Sequence, residues 1–176
     1  VWEFDTADTV FSSAAVAPLG RGEPPSVVIN SSRELLVLTA EGQVRWRHNG
    51  VRQYDRNTKS PAVGDLDGDG NAEVVVASDT GEVLAFAADG SLLWRQATAG
   101  AQNAGLNTAT PTLVDLPDGR KGVAFAADDG YLRLLDADGK LLWKRAFGHS
   151  DNLIGPVPSH LALAGARLEG NGPVRI

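Results

Sequence analysis

The sequence predicts an all-β fold, a β-propeller of four-stranded antiparallel blades. Three observations carry this: a tryptophan recurring at nearly constant spacing, short β-branched apolar runs, and glycine-closed turns roughly every 8–12 residues. Trp46, Trp94 and Trp143 close the related phrases LTAEGQVRW, AFAADGSLLW and LLDADGKLLW and lie 48 and 49 residues apart. Trp2 stands 44 residues before Trp46 and reads as the end of an earlier copy. Periods of about 40–50 residues belong to propeller blades or to helical arrays. Turns such as Asp89-Gly90 would break helices at every repeat, so the helical alternative fails.

Each repeat divides into four strands, the signature of a blade. The clearest copy predicts strands at 61–66, 73–78, 82–87 and 91–96. The next repeats them at 112–116, 122–127, 131–136 and 140–145. A looser first copy has them at 14–18, 26–30, 34–39 and 43–47. Residues 8–50, 58–98 and 108–147 are thus read as whole blades, 1–7 as the last strand of a preceding blade (strand at 1–4), and 155–176 as the first half of a further blade. Propellers have about 4–8 blades, which makes an arc of a larger propeller the expectation. A small ring, in which 1–4 completes the terminal half blade, remains the alternative. The tryptophan of each last strand is expected to fill the wedge between neighbouring blades.

Composition narrows the function classes. Hydrophobic residues make up 43% and charged residues 22%, enough to bury a core. The net charge of −6, with no block of Lys or Arg, argues against a nucleic-acid partner. With no cysteine there are no disulfides or thiolate metal sites. No methionine is present, so Val1 is expected to be a processed or internal start. No apolar run approaches the roughly 20 residues needed to span a bilayer.

One loop carries metal chemistry. Residues 65–73 read DLDGDGNAE, with Asp65, Asp67 and Asp69 alternating along a turn that bends at Gly70. Asn71 can offer its main-chain carbonyl and Glu73 can close the shell. These hard oxygen donors suit Ca²⁺ and its 6–8 ligands. The acidic closer comes at the ninth position and the flanks are strands, so this is not an EF-hand. The matching stretches have lost the pattern: 115–122 carries Arg120 and Lys121, 18–26 keeps one carboxylate, and 167–173 begins with Arg167. One calcium is expected, with 167–173 a remote second candidate.

SPAVGDLDGDGNAEVVVAS (60–78) resembles the FG-GAP/VCBS repeat, the blade of integrin-α-like propellers, with its D-x-D-x-D-G-x-x-[DE] loop. LRLLDADGKLLWK (132–144) and the phrase at 84–95 resemble the PQQ-like propeller repeat. The resemblance implies an extracellular, periplasmic or cell-surface protein whose calcium loops join first to second strands on one face. It implies Asp65, Asp67, Asp69 and Glu73 as ligands, with Asn71 at the carbonyl position.

Two function classes follow. The first is a non-enzymatic, calcium-stabilised scaffold or recognition module for a protein or glycan. The second is part of a propeller enzyme, such as a quinoprotein dehydrogenase or a polysaccharide lyase. No Ser/His/Asp constellation is evident, and His48, His149 and His160 are not at metal-ligand spacing, which favours the first class. His48 and His149 are expected in solvated inter-blade connections. Those connections run opposite the calcium face and are longer than its turns, so they form the candidate ligand surface. It comprises Arg52, Tyr54, Asp55, Arg56 and Asn57, then Gln102, Asn103 and Asn107, then His149, Asp151 and Asn152.

Overall fold

The computed structural model describes residues 1–10, 12–49, 51, 59–78, 81–97, 109–127 and 129–146. Among them are three four-stranded antiparallel sheets and no helix. The first contains β1 (Ala15–Ala17), β2 (Ser26–Asn30), β3 (Glu34–Leu38) and β4 (Val44–Asn49). The second contains β5 (Ala62–Gly64), β6 (Glu73–Ala77), β7 (Glu82–Phe86) and β8 (Leu92–Ala97). The third contains β9 (Thr112–Asp115), β10 (Lys121–Ala127), β11 (Tyr131–Leu135) and β12 (Leu141–Ala146). Strand order follows chain order in every sheet, the arrangement of a propeller blade.

β1 lies against β5 and β5 against β9, so the first strands gather on the axis side and the fourth strands form the rim. The middle strands of the second blade are covered by a blade on each face, which is why β6 is an unbroken apolar run after Glu73. Period-two alternation divides that run. Val74 and Val76 pack with Val28, Leu35 and Val37 of the first blade. Val75 and Ala77 pack with Val123, Phe125 and Leu135 of the third.

Each fourth strand carries a β-bulge beside its tryptophan. Val37 pairs with Trp46 but Leu38 with Val44, which leaves Arg45 as the extra residue. Leu93 and Leu142 are extra in the same way. The indoles then reach the next blade: Trp46 Nε1 donates to Ala88 O at 3.0 Å and Trp94 Nε1 to Ala137 O at 2.8 Å. Two further seams repeat at the same junctions. On the axis side Ser13 N donates to Ser60 Oγ at 3.0 Å, and Ser60 N to Thr110 Oγ1 at 3.3 Å. On the face of the loops joining first to second strands, Ala72 N donates to Leu19 O at 2.8 Å and Lys121 N to Leu66 O at 2.9 Å.

No strand precedes Ala15 among the described residues, and one expectation, the place of His48, is corrected. Trp2 still repeats the latch, donating to Ala40 O at 2.8 Å with its ring over Gly42. The segment meets the first blade through its indole, as Trp46 meets the second and Trp94 the third. His48 is not in a connection: β4 runs on to Asn49, and the imidazole packs on Phe86 of the second blade, ring centroids 4.7 Å apart. The half blade predicted at 155–176 lies outside the described residues.

His48 also responds to pH. Burial, then the positive charge of Arg95, holds its pKa below 6.5. The folded protein therefore binds this proton less readily than the unfolded chain does. The contribution of neutral His48 is complete above about pH 6.5 and is lost as pH falls through the depressed value. Melting temperature is expected to drop from pH 7 to pH 5. His48→Gln, which installs the residue of the equivalent second-blade position (Gln96), should remove that part of the drop. An unchanged slope in the variant would count against the assignment.

Candidate functional site

The 65–73 loop joins β5 to β6. Its carboxylates organise the turn: Asp65 Oδ1 accepts from Gly68 N at 2.7 Å and Asp65 Oδ2 from Gly70 N at 2.9 Å. Asp67 Oδ1 accepts from Asp69 N at 3.0 Å. Glu73, 4% exposed at the start of β6, accepts from Leu66 N at 2.7 Å. One oxygen from each of Asp65, Asp67 and Glu73 lies within 4.8 Å of the others. Ca²⁺–oxygen distances of about 2.3–2.6 Å allow two ligands of one ion to sit up to about 5 Å apart. The three carboxylates therefore fit a calcium ion in spacing as well as in donor type.

Asp69 stands apart from this group. Its carboxylate accepts from Asn71 N at 2.6 Å and Asn71 Nδ2 at 3.2 Å. Those bonds, aided by the charge of Arg21, hold its pKa below the usual aspartate value. Asn71 spends its side chain on Asp69 rather than on the group of three. Glu73 behaves oppositely. Burial raises its pKa, and Asp67, Asp69 and Asp65 add to the rise against the Leu66 N–H. A carboxylate so placed gains most from a cation.

The neighbouring loops carry their own cations. In the third blade Lys121 Nζ meets Asp115 Oδ1 at 2.6 Å, and Arg120 bridges Asp118 at 2.9 Å and Asp138 at 3.4 Å. In the first, Glu23 pairs with Arg45 at 2.5 Å. Arg21 of that same loop reaches across the junction, its guanidinium resting where Gly70 has no side chain. Gly70, at φ +90°, thus serves both the bend and this approach. The sequence reading missed Arg21; Gly70 was seen as a turn residue, and only the stacking of blades reveals what covers it.

A second feature also escaped that reading. Arg133, 5% exposed, stands on β11 where the first two blades have Leu36 and Leu84. It forms a two-bond ion pair with Asp129, one bond at 2.9 Å, and lies 5.9 Å from the Phe125 ring centroid. Superimposing the repeats would have flagged a charge in a leucine position. The candidate ligand surface cannot be placed in the same way. Arg52, Tyr54, Asp55, Arg56, Asn57, Gln102, Asn103, Asn107, His149, Asp151 and Asn152 all lie outside the described residues.

Comparison with known proteins bears on the whole arc. A family model described as outer membrane protein assembly factor BamB matches residues 1–158. Among solved structures, BamB from Moraxella catarrhalis is similar at 23% identity and TM-score 0.59, over 84% of this chain and 41% of that one. BBS1N in complex with ARL6DN matches at 12% identity and TM-score 0.56, over 78% of this chain and 44% of that one. A polycomb repressive complex 2 chain matches at 17% identity and TM-score 0.52, over 78% and 29% respectively. The chain spans less than half the length of each. No curated protein matches it. At these identities the structural matches speak for the propeller fold.

Proposed function

The chain belongs to the BamB family of PQQ-like repeat propellers, and from that premise we propose that it is a non-enzymatic scaffold of the bacterial envelope, with a calcium staple in its second blade. The family match over residues 1–158 is the observation that carries this reading. The blades support it physically: three polar seams and a continuous apolar core at each junction make a rigid platform on which connecting loops can be presented. That a BamB structure and a BBS1N–ARL6DN complex share the fold favours a protein as the partner, with a glycan the other ligand of suitable chemistry. This reading puts the partner face opposite the metal loop, on the connection between β4 and β5 whose sequence contains Arg52, Tyr54 and Arg56. Replacing those three together should abolish capture of a partner from envelope extracts while leaving the melting temperature unchanged; retained capture would refute this placement.

The staple rests on the convergence of Asp65, Asp67 and Glu73 and on the likeness of 60–78 to the FG-GAP/VCBS loop. Asp65, Asp67 and Glu73 would hold the ion, and Asp69, on turning from Asn71 toward it, and the Asn71 main-chain carbonyl would complete the set. Bound calcium supplies positive charge to the buried Glu73 carboxylate. The residues themselves fix the turn and hold β5 and β6 in register. Because binding requires Glu73 ionised, uptake should weaken as pH falls through its raised pKa. Calcium is expected to raise the melting temperature, with heat of binding seen by calorimetry, and Asp67→Ala should remove both effects. If calcium at many times any plausible Kd leaves the unaltered chain's melting temperature unmoved, the staple is wrong.

A further inference from the structure

The rim of the third blade differs from the other two in a way the family assignment does not explain. In the first blade Glu34 of β3 lies 3.7 Å from Arg47 of β4, and in the second Glu82 of β7 lies 3.7 Å from Arg95 of β8. The corresponding position on β11 is Tyr131, over whose ring Lys144 sits at 4.4 Å. The acid has been replaced and the cation kept. β12 and the residue before it read Lys140-Leu141-Leu142-Trp143-Lys144-Arg145. Lys140, Lys144 and Arg145 make no ion pair among the described residues, and the strand holds no acid. A protein of net charge −6 thus gathers, along β12 and the residue before it, three cations with no acidic partner among the described residues.

The same strand is apolar and open. Leu141 and Leu142 are 43% and 48% exposed. β12 ends the order of its sheet, so one row of its backbone N–H and C=O groups has no strand neighbour among the described residues. Beyond the bulge at Leu142, Trp143 to Ala146 pair regularly with β11. Charged residues do protect edge strands from self-association. That purpose is met in the other blades by cations paired with glutamate and does not require the loss of the acid; the leucine pair itself recurs in the second blade, where Leu92 and Leu93 are 45% and 51% exposed, so the charge is what sets β12 apart.

We propose that the outer edge of β12 is a docking strand for an extended polypeptide segment of alternating acidic and apolar residues, which adds to the third blade as a fifth strand. Main-chain bonds to the open edge supply the affinity. Leu141 and Leu142 receive the apolar side chains, and Lys140, Lys144 and Arg145 select for acids. The proposal uses none of the residues of the loop face assigned above, and either can fail without the other.

The test titrates the whole chain into a short fluorescein-labelled peptide of alternating glutamate and valine, followed by anisotropy. Saturable binding is expected, weakening as salt is raised. Lys144→Glu combined with Arg145→Glu should weaken it by at least about tenfold. Both residues are exposed, so the variant should keep its melting temperature. Arg95→Glu in β8 should leave binding unchanged. A peptide N-methylated at alternate amides should lose binding, because strand addition needs its N–H groups. Equal binding of the methylated peptide would overturn the proposal in favour of simple charge attraction. Absence of binding, or binding only to anionic phospholipid vesicles, would overturn it outright.

Discussion

Replacing Gly139 by valine is expected to unlatch the second blade from the third and cost about 3–5 kcal/mol, the scale of losing a well-packed tryptophan. Two effects combine. Gly139 has φ +77°, where a β-branched residue is strained. A Cβ there would also lie 2.6 Å from Trp94 Cδ2 and 2.8 Å from Cγ, so the indole must leave its seat and give up its bond to Ala137 O. The same chain separates the two contributions. Gly119 has φ +88° with nothing within 4 Å of a would-be Cβ, so Gly119→Val should show the backbone cost alone, about 1–2 kcal/mol. Trp94→Phe should cost about 1 kcal/mol for the lost hydrogen bond, more if the smaller ring leaves a void. Combining Gly139→Val with Trp94→Ala should cost less than the two single losses together, since valine no longer meets a ring. Urea denaturation of the set checks each value. Strict additivity would mean that ring and glycine do not act as one lock.

This lock explains how much of the fold was legible. Each repeat carries the tryptophan and, a few residues earlier, the Ala-Glu-Gly or Ala-Asp-Gly turn (40–42, 88–90, 137–139) that receives the tryptophan of the preceding copy. Period, strand count and turn chemistry therefore point to one answer. Less was legible wherever the partner is a backbone atom of another blade. The carbonyls of Leu19, Leu66, Ala88 and Ala137 have no signature in sequence, and the seams they form emerge only on stacking. The metal loop divides the same way. Its residue types announce oxygen chemistry, but the pairing of Asp69 with Asn71 and the approach of Arg21 depend on turn geometry and on the neighbouring blade. His48 was misplaced because a polar strand end at a rim looks like a connection until the ring of Phe86 is set against it.

The ion pair in the third blade gives the second large effect, and its sign reverses. Asp129→Ala is expected to destabilise by about 3–5 kcal/mol, because the buried Arg133 charge would be left, among the described residues, with the Tyr131 carbonyl, at 3.2 Å, and two ring faces. Arg133→Leu restores the side chain that the first two blades carry in that place. In the Asp129→Asn background it should be neutral or even stabilising, by up to about 4 kcal/mol. The reasoning is electrostatic: a buried pair is costly to break and far less costly to replace, since desolvating both charges already offsets much of their attraction. Side-chain exposures of 6% for Arg133 and 15% for Asp129 put the pair in this regime and not in that of a rim salt bridge. Chemical denaturation of the single and double variants decides it. If the double variant proves as unstable as Asp129→Ala, the loss stems from disturbed packing around Phe125 and Tyr131, and the orphaned charge is not its cause.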